Sequence, residues 1–199
     1  TAGFYIKQSL MKKKTIRFLI SLLIMGLCMS GGAQAEDEYR LKAAFLSKFT
    51  MYFDWLADSE VNNPAKPFVI AVIGANPFGS YLDDICSITK VKDKEIKVFY
   101  ISRVEEIAAA GCNLLFIAGT DDKKLAEILT YTGNKPILTV SDGKDFAEKG
   151  VHINFLIIKD KVNFEINPRA VRDARLVMNY HLLGLAARVI QGVNGEKKR

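Results

Sequence analysis

The order of apolar and polar positions predicts that strands and helices alternate through the middle of the chain. Residues 68–73 form a continuous apolar run, which is typical of a strand buried on both faces of a sheet. Further apolar segments predict strands at 96–101, 113–118 and 136–140. Helical segments are predicted between them at 77–86 (with Asn76 as N-cap), 104–110, 121–130 and 144–148. This alternation indicates parallel βαβ units in a doubly wound sheet.

The two ends of the chain have different patterns. Apolar side chains at three- and four-residue spacing predict an amphipathic helix over 39–56. Segments 151–158 and 162–166 predict a β-hairpin, and a long final helix is expected from Asn167 to about Gln191. The predicted fold class is therefore α/β: a three-layer, Rossmann-like, mostly parallel sheet with an antiparallel edge hairpin and flanking N- and C-terminal helices.

Residues Met11 to Ala35 have the pattern of a secretory signal peptide. Lys12, Lys13, Lys14 and Arg17 form a positive region before the apolar run 18–29, which is too short to span a bilayer. Ala33 and Ala35 supply a cleavage site of the A-x-A type. We therefore expect residues 1–35 to be upstream sequence plus signal peptide, and residues 36–199 to form a single exported domain.

Removing that segment changes the charge of the protein. The whole chain carries +6, but residues 1–35 hold five of the 28 basic residues and no acidic residue. The remaining 164 residues have 23 basic against 22 acidic side chains, close to neutrality. This balance gives no support for a nucleic-acid partner.

Candidate catalytic and cofactor motifs are weak. The pattern Gly74-x-Asn76-x-x-Gly79 follows a strand, as a dinucleotide fingerprint would, but Asn76 and Pro77 favour a simple capped turn. His152 and His181 are the only histidines, and their spacing matches no common metal motif. We expect no catalytic residue, no metal, no cofactor and no enzymatic activity.

Two cysteines remain after the expected cleavage, in an oxidising compartment. Cys86 ends a predicted helix and Cys112 precedes a strand, so both fall at the same edge of the predicted sheet. A Cys86–Cys112 disulfide is expected. Two buried thiols are the alternative.

An ordered series of motifs resembles the YfiR (HmsC-like) family of periplasmic regulators. The opening helix carries Tyr39-Arg-Leu-Lys-Ala-Ala-Phe-Leu-Ser-Lys-Phe49, followed by Phe53-Asp-Trp55. The other matching segments are 72–79, 112–117, 137–142, 146–150, 153–155, 162–167 and 182–186.

The resemblance implies a regulator that binds and represses an inner-membrane diguanylate cyclase through its periplasmic portion. Repression would lower cyclic di-GMP and the output of biofilm and exopolysaccharide, and an outer-membrane lipoprotein would be a second partner. Cys86 and Cys112 resemble one of the family's disulfides. Ala147 and Asn154 stand where some members have a second pair.

The resemblance also indicates a partner-binding region. The predicted hairpin and the start of the last helix would bring Glu165, Asn167, Val171 and Arg175 together on an exposed surface, with His181 as a further candidate. The family segment that corresponds to Glu165–Val171 is associated with partner binding. The alternatives are that Asn167 is only a helix cap, Arg175 a solvated charge and His181 a groove-lining residue. A Glu165→Lys change is then expected to weaken binding with little effect on melting.

Two alternatives stay open at this stage. The crevice at the carboxyl ends of the strands is the usual ligand position in such folds, so a small-ligand sensor, acting on a sensor kinase for example, is the second function considered. The predicted edge hairpin leaves a homodimer open as well.

Overall fold

The computed structural model describes residues 30–56 and 59–191, with side chains from Glu36 onwards except Glu60. The signal-peptide segment up to Met29 lies outside the described residues. The chain divides into two compact units, Thr1–Glu38 and Tyr39–Arg199. The described part of the first unit is the beginning of helix α1, and all strands of the described residues belong to the second unit.

The second unit is built around a central strand with sheet partners on both sides. The helices are α1 (Ser30–Phe49), α2 (Tyr81–Ile88), α3 (Glu106–Ala110), α4 (Asp122–Thr132), α5 (Pro168–Asp173) and α6 (His181–Leu185). The strands are β1 (Phe53–Trp55), β2 (Phe68–Ile73), β3 (Lys90–Val91), β4 (Lys94–Ile101), β5 (Leu114–Ile117), β6 (Leu138–Ser141), β7 (Ile153–Ile158), β8 (Lys161–Ile166), β9 (Leu176–Met178) and β10 (Arg188–Val189). Short 3-10 turns occupy Thr50–Tyr52 and Glu60–Asn62.

Eight strands form one sheet in the order β10-β8-β7-β6-β5-β2-β4-β3. The neighbours from β4 to β7 are all parallel, and β7 and β8 form the antiparallel hairpin. Strands β1 and β9 pair separately as a two-stranded antiparallel ribbon. The α/β class, the mostly parallel sheet and the hairpin are therefore confirmed.

Alternate side chains of β2 enter two separate hydrophobic cores. Phe68, Ile70 and Val72 pack in the core that contains α1 and α2 residues. Val69, Ala71 and Ile73 pack in the core that contains α3 and α4 residues. Because both faces of the sheet are covered, the continuous apolar run at 68–73 is explained, and the molecule has three layers.

The opening helix is shorter than predicted at its end. It stops at Phe49, and β1 follows after one 3-10 turn. Phe53 and Trp55 are buried while Asp54 between them is exposed, a period of two that is characteristic of a strand. The prediction wrongly counted Phe53 as part of the helical stripe.

The predicted long final helix is wrong. Helix α5 ends after Asp173, and Arg175 has a left-handed backbone with φ of 58°. The chain then forms β9, α6 and β10, because β9 pairs with β1 and β10 pairs with β8. These long-range pairings override the local helical pattern, which holds no information about strands so distant in sequence.

Smaller differences involve turns. Residues 144–148 form turns in place of the expected short helix. Helix α2 begins at Tyr81, so Asn76 is not its N-cap; its side chain instead forms a local turn by accepting from Phe78 N–H at 2.9 Å. The hairpin of β3 and β4, with positive φ at Lys92 and Asp93, was not predicted.

Gly74 is required by backbone packing. It has φ of +106°, and an added Cβ would lie 2.3 Å from the Ala118 carbonyl oxygen at the end of the neighbouring strand. The glycine of the fingerprint-like motif is thus explained by close approach of two protein backbones.

We predict that Gly74→Ala destabilises the protein by more than about 2 kcal/mol, because the new methyl group has no space and the backbone is strained. Gly184→Ala is the matched control, since nothing lies within 4 Å of an added Cβ there and φ is not positive. Urea unfolding of both variants measures the difference. Similar stabilities for the two variants would contradict the explanation.

Candidate functional site

The five residues predicted to bind a partner do not form one exposed surface. The side chains of Glu165 and Val171 are 0% and 1% exposed, and Asn167 is also buried. Arg175 and His181 are exposed. The expected surface is therefore corrected: three of its five members are structural residues of the interior.

Glu165 is held in a buried polar cluster. Asn154 Nδ2 donates to its Oε1 at 3.0 Å, and Arg188 Nε donates to its Oε2 at 2.7 Å. Arg188 also reaches Glu148, with Nη1 2.7 Å from Oε1. The hydrogen bonds to Glu165 and then Glu148 raise the pKa of Arg188 above its ordinary value. Since Arg188 lies opposite Glu165 in the ladder, this cluster fixes β10 against β8.

Two asparagines attach the turn segment 142–150 to the sheet and to α5. Asn154 Nδ2 donates to the Gly143 carbonyl at 2.9 Å, and Asn167 Nδ2 donates to the Ala147 carbonyl at 2.8 Å. Asn167 Oδ1 also accepts from Ala170 N–H at 3.0 Å, which caps α5 as predicted. Within the described residues, Oδ1 of Asn154 is a buried oxygen without a hydrogen-bond partner. Asn167 is therefore a helix cap and a structural tie.

His152 connects strand β6 to the start of β7. Its Nδ1 accepts from Thr139 N–H at 3.0 Å, and its own N–H donates to Thr139 Oγ1 at 3.1 Å. Burial lowers the pKa of His152 to about 4, opposed by a hydrogen bond to the backbone of Ala170. The ring is therefore neutral at physiological pH and belongs to the interior, where no other histidine is described near it.

Side chains of α1 occupy part of the crevice at the carboxyl end of the sheet. Lys42 Nζ and Tyr39 OH, both from α1, lie 2.7 and 2.8 Å from Asp142 Oδ2. The Lys42 side chain is 4% exposed, so this ion pair is largely shielded from water. Phe78 is buried and packs edge-on against Phe116 at 4.7 Å. Asp142 and Phe78 are therefore engaged in packing, which weakens the case for a ligand site there.

A separate cavity of about 420 Å³ lies beside β10. It is lined by Glu148, Asn167, Arg169, Arg188, Val189, Ile190 and Gln191. Among the described residues, no group of three or more histidine, cysteine or acidic side chains is placed to hold a metal ion. No described helix is long and apolar enough to cross a membrane.

The expected Cys86–Cys112 disulfide is not formed. Both cysteines are free and buried, and they belong to the two different hydrophobic cores. The crossover through α2 leads from β2 outwards to β4, and the crossover through α3 leads back from β4 past β2 to β5. Because both are right-handed, their helices cover opposite faces of the sheet. The prediction considered the edge of the sheet at which each cysteine lies, but not the face of the sheet on which it lies. Burial raises the pKa of each thiol to about 12.

An exposed surface that the sequence did not reveal is formed by the β1–β9 ribbon and the residues that flank its strands. We call it the ribbon surface and define it by Met51, Val177, Tyr180 and His181. Met51, Val177 and Tyr180 are 81%, 53% and 72% exposed. The Tyr180 and His181 rings are 4.1 Å apart, and a bond from Asn179 N–H to the Tyr52 carbonyl joins the two halves of the surface. In the sequence, Val177 and Tyr180 are an apolar and an aromatic residue within a largely polar segment. That segment was predicted to be one continuous helix, so their exposure was not noticed.

The fold is an α/β domain with a doubly wound, mostly parallel sheet and a separate antiparallel ribbon. The sequence model of the YfiR/HmsC-like family matches residues 39–187, so the chain belongs to this family. Proteins of this family are periplasmic regulators of the cyclic di-GMP pathway and are not catalytic.

Other comparisons add little. No curated protein matches the chain. One similar solved structure is the ABC domain from Streptococcus pneumonia in complex with L-Trp, with 10% sequence identity and a TM-score of 0.44. The match covers 62% of this chain and 55% of that chain, so little more than half of that protein is matched.

We predict that Glu165→Lys lowers the free energy of unfolding by about 3–5 kcal/mol, because it leaves a buried cation beside Arg188. This replaces the expectation that the change affects binding alone. Glu148→Lys is the control: it removes the other, half-exposed partner of Arg188 and is expected to cost less than about 1 kcal/mol. Equal small losses in urea unfolding would contradict the assignment.

We predict that acidification destabilises the fold through His152. Its folded pKa of about 4 lies below the ordinary value of 6.5, so its contribution is present above pH 6.5 and is lost as pH falls towards 4. The loss between pH 7 and pH 4.5 is about 2 kcal/mol.

The histidine variants isolate this effect. In urea unfolding at the two pH values, His152→Gln should lack this component of the pH dependence, whereas His181→Gln should retain it. An unchanged pH dependence in His152→Gln would refute the assignment.

Proposed function

We propose that the chain binds the periplasmic portion of an inner-membrane diguanylate cyclase and represses it, with the ribbon surface as the contact. The observation that carries the proposal is the exposure of Val177 and Tyr180 in a protein of a regulatory family. Tyrosine and arginine are enriched among the residues that dominate protein–protein binding, and Arg175 precedes the ribbon strand.

The ribbon is well placed to act as a rigid contact. Phe53, Trp55 and Leu176 are buried beneath it, so its backbone is fixed by the main core. Trp55 Nε1 also donates to the Pro136 carbonyl at 2.8 Å. A surface held in this way loses little conformational entropy on binding, which favours affinity.

Export is part of the proposal. Helix α1 has no acidic residue in its first turn, but Glu36, Asp37 and Glu38 follow Ala35 directly. Cleavage after Ala35 would place three carboxylates in the first turn, where they stabilise the helix dipole. The acidic triplet therefore fits a helix that begins at Glu36 in the processed protein.

Release of the cyclase requires competition for the regulator. We propose that an outer-membrane lipoprotein supplies it by binding the same protein. The small-ligand sensor is a weaker second candidate, since the one observation in its favour is the cavity beside β10.

The first prediction from this proposal concerns cyclic di-GMP in cells. Deletion of the gene should raise its level, and the wild-type gene should restore it. A version lacking Met11 to Ala35 should not restore it, because that protein stays in the cytoplasm. No rise on deletion would contradict repression of a cyclase.

Complementing variants then locate the contact. Val177→Lys is expected to weaken binding to the cyclase's periplasmic portion about tenfold or more, because it replaces an exposed apolar side chain of the ribbon surface with a charged one. Ile157→Lys is the matched control, since Ile157 is 49% exposed and lies in the β7–β8 hairpin. Calorimetric titration compares them. Loss of binding in Ile157→Lys alone would place the contact on the hairpin.

A further inference from the structure

Four sulfur atoms lie in residues 36–199, those of Cys86, Cys112, Met51 and Met178. An oxidant that reaches the protein from solution reacts first with exposed sulfur, and it reacts with a thiol through the thiolate form. The four sulfur atoms differ in both respects. The structure therefore decides which of them can be modified while the protein stays folded.

The two thiols are protected. Cys86 and Cys112 are both buried, and burial raises the pKa of each thiol to about 12. Almost no thiolate is then present at neutral pH. The two cysteines also lie in different hydrophobic cores, so an oxidised sulfur on one cannot reach the thiol of the other. We expect neither cysteine to react with peroxide in the folded protein.

The two methionines lie at the same end of the ribbon but in different surroundings. Met51 belongs to the 3-10 turn that leads into β1, and it is 81% exposed. Met178 pairs with Phe53 across the ribbon, is half-buried and packs against the main core. The thioether of Met51 is therefore open to solvent, whereas that of Met178 is shielded by the core.

The backbone on both sides of Met51 is held in place. The buried Thr50 donates from Oγ1 to the Ser47 carbonyl at 2.6 Å, and Asn179 N–H donates to the Tyr52 carbonyl at 2.8 Å. An oxidant can therefore reach Met51 without any unfolding of the turn. The same bonds keep a modified side chain within the ribbon surface.

We propose that Met51 is a site of reversible oxidation, at which a peroxide converts the thioether to a sulfoxide. A sulfur lone pair attacks one oxygen atom of hydrogen peroxide, so that an S–O bond forms as the O–O bond breaks and water leaves. Sulfur loses two electrons and the peroxide gains them. A dithiol reductant reverses the change: its two thiols become a disulfide, and the sulfoxide oxygen leaves as water.

Oxidation at Met51 changes the ribbon surface itself, and this consequence rests on the proposed function. The sulfoxide replaces an apolar group with a polar one, which must lose its water when a partner covers the surface. Binding to the cyclase's periplasmic portion is expected to weaken about tenfold as a result. An oxidant in the periplasm would then relieve repression of the cyclase while the regulator stays folded.

The chemistry is tested on the exported protein alone. After treatment with hydrogen peroxide at neutral pH, peptide mass spectrometry follows the gain of one oxygen atom at each methionine. Met51 is expected to react about ten times faster than Met178, with both thiols still titratable after denaturation and an unchanged melting temperature. Oxidation of Met178 or of the thiols as fast as that of Met51 would overturn the assignment of the site.

The effect on binding is tested by calorimetric titration with the cyclase's periplasmic portion. The wild-type protein is titrated before peroxide, after peroxide, and after repair by methionine sulfoxide reductases for both epimers with dithiothreitol. Affinity is expected to fall about tenfold and then to return. Each variant is compared with its own untreated sample: Met178→Leu should lose affinity as the wild type does, whereas Met51→Leu should show no change on treatment.

The outcomes separate this inference from the proposed function. Equal affinity of the untreated and the oxidised wild-type protein would overturn the effect on binding and leave the proposed function intact. A loss in treated Met51→Leu as large as in the wild type would place the sensitive group elsewhere. Absence of binding by the untreated protein would overturn the proposed function together with the effect on binding, and the mass-spectrometric rates alone would then decide whether Met51 is the modified site.

Discussion

The whole structure depends on burying β2 on both of its faces. Phe68, Ile70 and Val72 enter one core, and Val69, Ala71 and Ile73 enter the other. This is possible because the crossovers leave β4 on one side of β2 and β5 on the other, so that helices cover both faces. Because the α2 and α3 crossovers cover opposite faces of the sheet, Cys86 and Cys112 lie in different hydrophobic cores. The order of the strands also brings Gly74 against the Ala118 carbonyl, since neighbouring strands end together at this point of the sheet.

Buried polar contacts then decide which residues remain available to a partner. Lys42 and Asp142 fix the opening helix to the end of β6, and Glu165 and Arg188 fix the last strand to β8. Removing the partner of a buried charge greatly lowers the free energy of unfolding, so these residues are required for stability and are not available to a partner protein. The ribbon surface is one of the surfaces that remain exposed, and Val177 and Tyr180 have no such role in the core. In this account a partner binds the ribbon surface, whose strands are fixed by the burial of Phe53, Trp55 and Leu176 in the main core.

The sequence predicted the parts of the fold that have a local cause. The central strands are continuous apolar runs, and Asn167-Pro168 is a strong helix start, so β2, β5 and the beginning of α5 were found. The final segment was not, because β9 and β10 exist only through partners more than 20 residues away. Glu165 was expected on a wet face because it alternates with Phe164 and Ile166. It is buried because β10 and Asn154 lie beside it, which alternation along one strand cannot reveal.

The central claim is that the ribbon surface contacts the periplasmic portion of the cyclase. Side-chain oxidation by hydroxyl radicals, read by mass spectrometry, tests it directly because Met51 and Tyr180 are both oxidisable and highly exposed. The account predicts that both side chains are protected in the complex, while Tyr100 on the β4 edge and the hairpin around Ile157 keep their free-state rates. Protection confined to the hairpin, with Met51 and Tyr180 unchanged, would contradict it.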